Sequence, residues 1–230
     1  MDYQVVIPAA GSGTRMGAGQ NKLFLTLTGL PIIIRTLRVF ENDPWCQGII
    51  VVIKEDERAW FKRELIKYHI RKVVALVTGG EERQHSVHLG LKAISHELVL
   101  IHDGARPLIR QSDIHRVVEK ARETGAAVLA VPVKDTIKRV NETVIMETVE
   151  RQSLWAMQTP QAFRLSLILQ AHDFGNTLGK LGTDDAELVE EFGELVHVIQ
   201  GDYKNIKITT KEDLIIGEQF LLMIDEGGNE

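Results

Sequence analysis

Short β-branched apolar runs alternate along the chain with longer stretches in which apolar residues recur every three to four positions. This is the pattern of a sheet covered by helices on both faces. It predicts strands at Gln4–Pro8, Gly48–Lys54, Val73–Thr78, Leu98–His102, Ala126–Val131 and Leu195–Gln200. These runs are near-continuously apolar, as strands buried on both sides are. Helices are predicted over Pro31–Asn42, Asp56–His69, Arg83–Ser95 and Ser112–Thr124. Pro31 suits a first helical turn and Gly125 a helix stop. The series reads as right-handed βαβ units. Towards the C-terminus, Thr209 and Glu212 have capping-box spacing before an apolar helix Leu214–Ile224, and the tail from Asp225 is expected to fray.

One segment departs from the alternation. Between Val133 and Glu150 the chain is rich in Val, Ile and Thr with charges interspersed. Asn141-Glu142 separates two alternating runs, Thr136–Val140 and Val144–Val149, which predicts a hairpin too polar for a central strand pair. A two-stranded ribbon is marginal in water by itself, so residues 133–150 are expected to lie against their own domain or a second subunit. Residues 1–230 otherwise read as a single domain without internal repeats.

The 230 residues are 44% hydrophobic and 26% charged, an ordinary globular balance. Cys46 is the sole cysteine, which excludes an intramolecular disulfide framework and a thiolate zinc cluster. No apolar run approaches the length of a membrane span, and Met1-Asp2-Tyr3-Gln4 lacks the character of a signal peptide, so a cytoplasmic protein without membrane attachment is expected. A formal net charge of -5 argues against a nucleic-acid binder held by phosphate neutralisation. The charge is uneven, however. No acid occurs between Tyr3 and Phe40, while Arg15, Lys22, Arg35 and Arg38 make that stretch positive, so a local anion site is compatible with an acidic chain.

In a Rossmann-like open sheet, ligands bind outside the carboxyl ends of the strands. Three junctions are thereby selected: Pro8-Ala9-Ala10-Gly11-Ser12-Gly13-Thr14-Arg15-Met16-Gly17 followed by Asn21-Lys22, then Thr78-Gly79-Gly80-Glu81-Glu82-Arg83-Gln84-His85-Ser86, then His102-Asp103-Gly104-Ala105-Arg106-Pro107. Each sets small residues beside charged ones, which lets backbone N–H groups approach a phosphate. The first loop is not a P-loop, because no Lys-Ser or Lys-Thr follows its glycines. Nor is it the dinucleotide fingerprint, since the next acid after Asp2 is Glu41, too late for a ribose carboxylate. A long loop carrying one guanidinium and one ammonium suits a triphosphate.

The ordered set of these motifs with Asp135-Thr136, Thr159-Pro160-Gln161 and Asn205-Ile206-Lys207 resembles the 2-C-methyl-D-erythritol 4-phosphate cytidylyltransferases over nearly the whole chain. The ribitol 5-phosphate cytidylyltransferases are the near relative. The resemblance implies a homodimeric enzyme of the non-mevalonate route to isoprenoids that joins CTP to a sugar-alcohol phosphate and releases pyrophosphate. It implies catalytic roles for Arg15 and Lys22, and nucleotide contacts from Ala9, Ala10, Gly11, Gly13, Gly80, Glu81, Arg83 and Ser86. It further implies acceptor contacts from Asp103, Arg106, Thr136, Arg151, Thr159 and Lys207, with Thr136 and Arg151 reaching the partner's site on an exchanged arm. A divalent cation, Mg²⁺, is expected on the phosphates, with Asp103 as protein ligand or with a substrate hydroxyl in its place.

Other candidates have simpler readings. His85 and His88 have helical spacing but no third metal ligand at a recognisable spacing. Trp45, Trp60 and Trp155 read as packing residues, and Glu187, Glu190 and Glu191 as a solvated helix face. Thr183-Asp184-Asp185 has the character of a helix N-terminus, and Arg151 has Glu147 and Glu150 as alternative partners. Two readings from other classes stand beside the enzyme: a nucleotide-binding module without catalysis, and a glycosyltransferase, whose Asp-x-Asp metal motif is missing from the sequence.

Overall fold

The strands with unbroken apolar runs occupy the middle of the sheet. The computed structural model describes residues 2–11 and 21–227. A seven-stranded sheet is built from β1 (Tyr3–Pro8), β4 (Cys46–Ile53), β5 (Val73–Thr78), β6 (Leu98–Ile101), β7 (Ala126–Pro132), β10 (Trp155–Arg164) and β11 (His197–Gln200), in the order β11-β7-β10-β6-β1-β4-β5. Two short strands, β2 (Thr26–Leu27) and β3 (Leu30–Pro31), pair with each other ahead of α1 (Ile32–Glu41).

The period of two along each central strand sorts its side chains into two cores. Val5 and Ile7 of β1, Ile49 and Val51 of β4 and Leu100 of β6 face one layer, packed beneath α1, α2 (Arg58–Lys67) and α4 (Gln111–Thr124). Val6, Ile50, Val52, Val99 and Ile101 face the other, beneath α3 (Arg83–Leu91), α5 (Leu165–Thr177) and α6 (Asp185–Glu191). Helices thus cover both faces, and the α/β expectation is met. The edge strands differ from their apolar reading: Val74 of β5 is 58% exposed and Val198 of β11 is 44% exposed.

Three corrections concern elements. The segment after the hairpin carries β10, which runs antiparallel between β6 and β7 in the heart of the sheet, a strand that the hydrophobic pattern does not predict. Its sequence, with Gln158, Thr159, Pro160 and Gln161, reads as too polar and too proline-bearing for a central strand. The structure accommodates this with an irregularity: pairing to β7 skips from Met157 to Gln161, so the proline sits where no ladder donor is needed. Helices α5 and α6 are likewise elements that the hydrophobic pattern does not predict, although α6 starts at Thr183-Asp184-Asp185, with Asp184 as its cap accepting from the Glu187 N–H. At the C-terminal helix α7 (Lys211–Gly227), the capping exchange falls one residue later than expected: Asp213 Oδ2 accepts from the Thr209 and Thr210 N–H groups, and the Asp213 N–H donates to Thr210 Oγ1. That helix continues past Asp225.

The hairpin forms as expected. Strands β8 (Ile137–Asn141) and β9 (Val144–Val149) make a separate two-stranded ribbon, and Glu142 in its turn has φ of 52°. Its root is fastened by Tyr203, whose hydroxyl donates to the Pro132 carbonyl at 2.8 Å and whose ring lies under the Lys134 ammonium. Beyond the root the ribbon is exposed, including Val144, Ile145 and Met146. Among the described residues, no helix is long and apolar enough to cross a membrane.

Candidate active site

The carboxyl ends of β1, β5 and β6 open on a cleft of about 500 Å³. Its walls bring together Ala10, Gly11, Lys22, Gly80, Glu81, Arg83, Ser86, Asp103 and Lys207 from the sequence-predicted set. All three glycine-bearing junctions therefore meet on one rim, as the strand-end rule requires. Gly79 must be glycine for this to happen, because a Cβ there would sit 2.9 Å from the Ala10 Cβ and 2.8 Å from Ser86 Oγ. Ser86 Oγ instead accepts from the Gly80 N–H at 3.1 Å and fixes the loop ahead of α3.

Lys22 follows Asn21, a buried residue to which the sequence pattern gave no role. The Asn21 carboxamide accepts from the Leu23 N–H and donates to the Ala9 carbonyl at 2.8 Å, pinning a short 3-10 turn over Lys22–Phe24 against the end of β1. A side-chain cap at a turn start is the sequence signal that could have found it. Lys22 Nζ donates to the Ile208 carbonyl at 3.1 Å, next in sequence to Lys207, so both ammonium groups converge on one segment. Ala9, expected at the nucleotide, is buried in the core, and its carbonyl serves Asn21. Gly13 and Arg15 lie outside the described residues.

Asp103 is the electrostatic hub. Lys207 Nζ is 2.8 Å from its Oδ2, Arg106 Nε is 3.7 Å from the same oxygen, and Arg83 Nη2 is 3.8 Å from Oδ1. Burial raises its pKa, but Lys207, Arg83 and Arg106 outweigh that and hold the carboxyl down at about 2. The Asp103 N–H donates to Thr159 Oγ1 at 3.0 Å. Thr159 Oγ1 also lies 3.1 Å from His102 Nδ1, and His102 Nε2 lies 3.1 Å from the Arg106 carbonyl. A carbonyl only accepts, so Nε2 carries the proton and Nδ1 accepts from the threonine hydroxyl. Burial lowers the His102 pKa to about 4, which keeps the ring neutral. Thr159, expected at the acceptor, thus has its hydroxyl engaged with the backbone and ring that carry Asp103.

Arg106 is mostly buried and turned inward, donating to the Asn205 carbonyl at 2.6 Å. Asn205 donates back to the Thr159 carbonyl, and the Ile208 N–H donates to the Ala105 carbonyl, so the segment bearing Lys207 is laced to β10 and to the loop after β6. Thr136 and Arg151 are not brought to this cleft within the chain. Both are exposed at the base of the arm, where Arg151 donates to the Lys134 carbonyl, and Glu147 pairs with Arg139 instead. Among the described residues, no group of three His, Cys, Asp or Glu side chains is placed to hold a metal. The tryptophans pack as expected in two cases, Trp60 stacking on Phe24 and Trp45 on His115.

An open sheet whose strand ends present close-packed glycines beside converging lysines and arginines defines a nucleotide-binding α/β protein built to hold phosphates. The family described as 2-C-methyl-D-erythritol 4-phosphate cytidylyltransferase matches residues 3–223, and the chain belongs to that family. It is 57% identical to the enzyme of that name from Bacillus licheniformis over 222 residues, 96% of each chain. It is 53% identical to the one from Geobacillus thermodenitrificans, over 96% of this chain and 97% of the relative. Among solved structures, 4-diphosphocytidyl-2C-methyl-D-erythritol synthase from Anaerococcus prevotii superposes with a TM-score of 0.84 at 33% identity, covering 96% of this chain and 98% of the other. The cytidylyltransferase of Thermus thermophilus gives a TM-score of 0.81 at 32% identity over the same shares.

Proposed function

We propose that the chain transfers the cytidylyl group of CTP to 2-C-methyl-D-erythritol 4-phosphate, giving 4-diphosphocytidyl-2-C-methyl-D-erythritol and pyrophosphate in isoprenoid precursor biosynthesis in the cytoplasm. The observation that carries this reading is the convergence of Lys22, Arg83 and Lys207 on a single glycine-walled cleft, in a chain 57% identical to a cytidylyltransferase.

A phosphate oxygen of the acceptor attacks the α-phosphorus of CTP. The new P–O bond forms as the bond to the bridging oxygen breaks, and pyrophosphate leaves with the electron pair. The attacking oxygen is already anionic near neutral pH, so no general base is required. The obstacle is repulsion between two anions and the negative charge that gathers at the α-phosphoryl group. Lys22 stabilises that charge by being in place beforehand, and the motif assigns Arg15 to the same charge. Ala10, Gly11, Gly80, Glu81 and Ser86 hold the base and ribose. Asp103 and Lys207 hold the acceptor, with Thr159 setting the Asp103 backbone and Arg106 bracing the segment that bears Lys207 through the Asn205 carbonyl.

Mg²⁺ fits this donor set only as an ion brought with the triphosphate, because Asp103 supplies one carboxylate already surrounded by three cations. Asp103 Oδ1, with its loose 3.8 Å contact to Arg83, is the oxygen that would turn to it. When bound, the ion draws charge from the phosphates.

The exposed arm supports a homodimer in which Thr136 and Arg151 serve the partner's cleft. Mixing Lys22→Ala and Arg151→Ala proteins tests this, with pyrophosphate release from CTP and the acceptor as the readout. If the cleft is shared, each variant alone is nearly inactive and the exchanged mixture regains about a quarter of the wild-type rate, because one site in each mixed dimer is intact. No recovery after verified exchange contradicts the shared site.

A further inference from the structure

Behind Arg83 lies a second buried carboxylate with no place in the reaction so far. Asp185 opens α6 and is 1% exposed. Both of its chain neighbours are pinned by one side chain. Gln161 of β10 donates to Asp184 Oδ2 at 2.8 Å and accepts from the Ala186 N–H at 3.2 Å, so the start of α6 is fixed to the central sheet. Asp185 Oδ2 then stands 2.8 Å from Arg83 Nη2, and Oδ1 stands 3.2 Å from Nε2 of the fully buried His172. The same Arg83 nitrogen is 3.8 Å from Asp103 Oδ1. One guanidinium therefore separates two buried carboxylates, and the tighter of its two contacts faces away from the cleft.

We propose that Asp185, oriented by His172, is a positioning residue for the transfer reaction: it tethers the Arg83 guanidinium at the cleft wall, ready for the nucleotide phosphates and apart from Asp103. A long arginine side chain left without a tether loses rotamer order, and a guanidinium beside a single buried carboxylate closes onto it. With Asp185 in place, the Asp103 carboxylate keeps Lys207 as its nearest partner and Arg83 keeps its remaining N–H groups for an incoming anion. Ordering is then done by the fold rather than at the expense of nucleotide affinity. The inference rests on assigning Arg83 to the nucleotide.

A double-mutant cycle over Asp185→Asn and Arg83→Gln tests it, with steady-state kinetics in CTP at saturating acceptor and a thermal melt of each protein. Asp185→Asn keeps an acceptor for His172 while removing the charge. The expected result is a rise of about tenfold in the KM for CTP with kcat held within about threefold, and less than about twofold further change when Arg83 is already Gln. Effects that multiply overturn the tether, as does a fall in kcat at unchanged KM. Should Asp185→Asn fail to fold, the cycle is run with Asp185→Glu, which keeps the charge but displaces it, and the same criteria apply. An unchanged KM for CTP in Arg83→Gln instead overturns the nucleotide assignment, and the inference with it.

Discussion

His102 gives the protein a specific sensitivity to acid. The ring is fully buried, its Nε2–H donates to the Arg106 carbonyl, and its Nδ1 accepts from Thr159, which in turn receives the Asp103 N–H. Protonating Nδ1 converts an acceptor into a donor facing the threonine, so the folded ring resists the charge. Its pKa falls from 6.5 to about 4 through burial. Between those values the unfolded chain binds a proton that the folded chain does not, so stability rises with pH across the window and is lost as pH falls. Against pH 7.5, the loss amounts to about 2 kcal/mol at pH 5 and about 3 kcal/mol at pH 4. Asp103 acts in a lower window: its stabilisation of about 2 kcal/mol is complete above its ordinary 3.8 and disappears as pH falls towards about 2. The assay is urea unfolding at steps from pH 7.5 to 4.5 for the wild type and His102→Gln. The variant starts from lower stability but should show a slope against pH smaller by the stated amount. Parallel slopes would refute the reasoning.

Three further outcomes are expected. Lys22→Ala lowers kcat for pyrophosphate release by about 10²–10³, the loss typical of one preorganised charge-stabilising group, while Tm falls by only a few degrees for the lost bond to the Ile208 carbonyl; a rate within threefold of wild type would defeat the assignment. Gly90→Ala destabilises despite the ~1 kcal/mol that alanine offers a helix, because the new Cβ would lie 2.6 Å from Val6 Cγ1 and 2.8 Å from Val52 Cγ2 in the central sheet. Overpacking of about 3 kcal/mol should lower Tm by several degrees in calorimetry, and an equal or higher Tm contradicts it. If the proposed homodimer forms through the arm, Ile145→Lys, at a position 61% exposed there, should shift the molar mass measured by light scattering from dimer towards monomer; a wild type that is monomeric, or a variant that stays dimeric, removes the arm from the interface.

What was legible in the sequence followed local pattern. The strands β1, β4, β6 and β7 announce themselves because both of their faces are buried, and their alternating side chains fill two cores at once. The cleft loops after β1 and β6 follow from those strand ends, and the third follows the half-exposed edge strand β5. What stayed hidden depends on partners distant in the chain. Strand β10 looks polar because Gln158, Thr159 and Gln161 are satisfied only by tertiary contacts: Gln158 by Asp202 and Asn205, Thr159 by His102 and Asp103, Gln161 by Asp184 and Ala186. No window of neighbouring residues contains those partners. The same holds for Asp185, whose spacing announces a helix start and whose contact with Arg83 only the folded chain supplies.

All of this turns on whether the cleft joins CTP to a methylerythritol phosphate. The most direct measurement is pyrophosphate release by the purified protein with CTP and Mg²⁺, supplying 2-C-methyl-D-erythritol 4-phosphate or ribitol 5-phosphate in turn. Rapid release is expected with the first and little with the second. Preference for ribitol 5-phosphate, or CTP binding with no release on either acceptor, would contradict it.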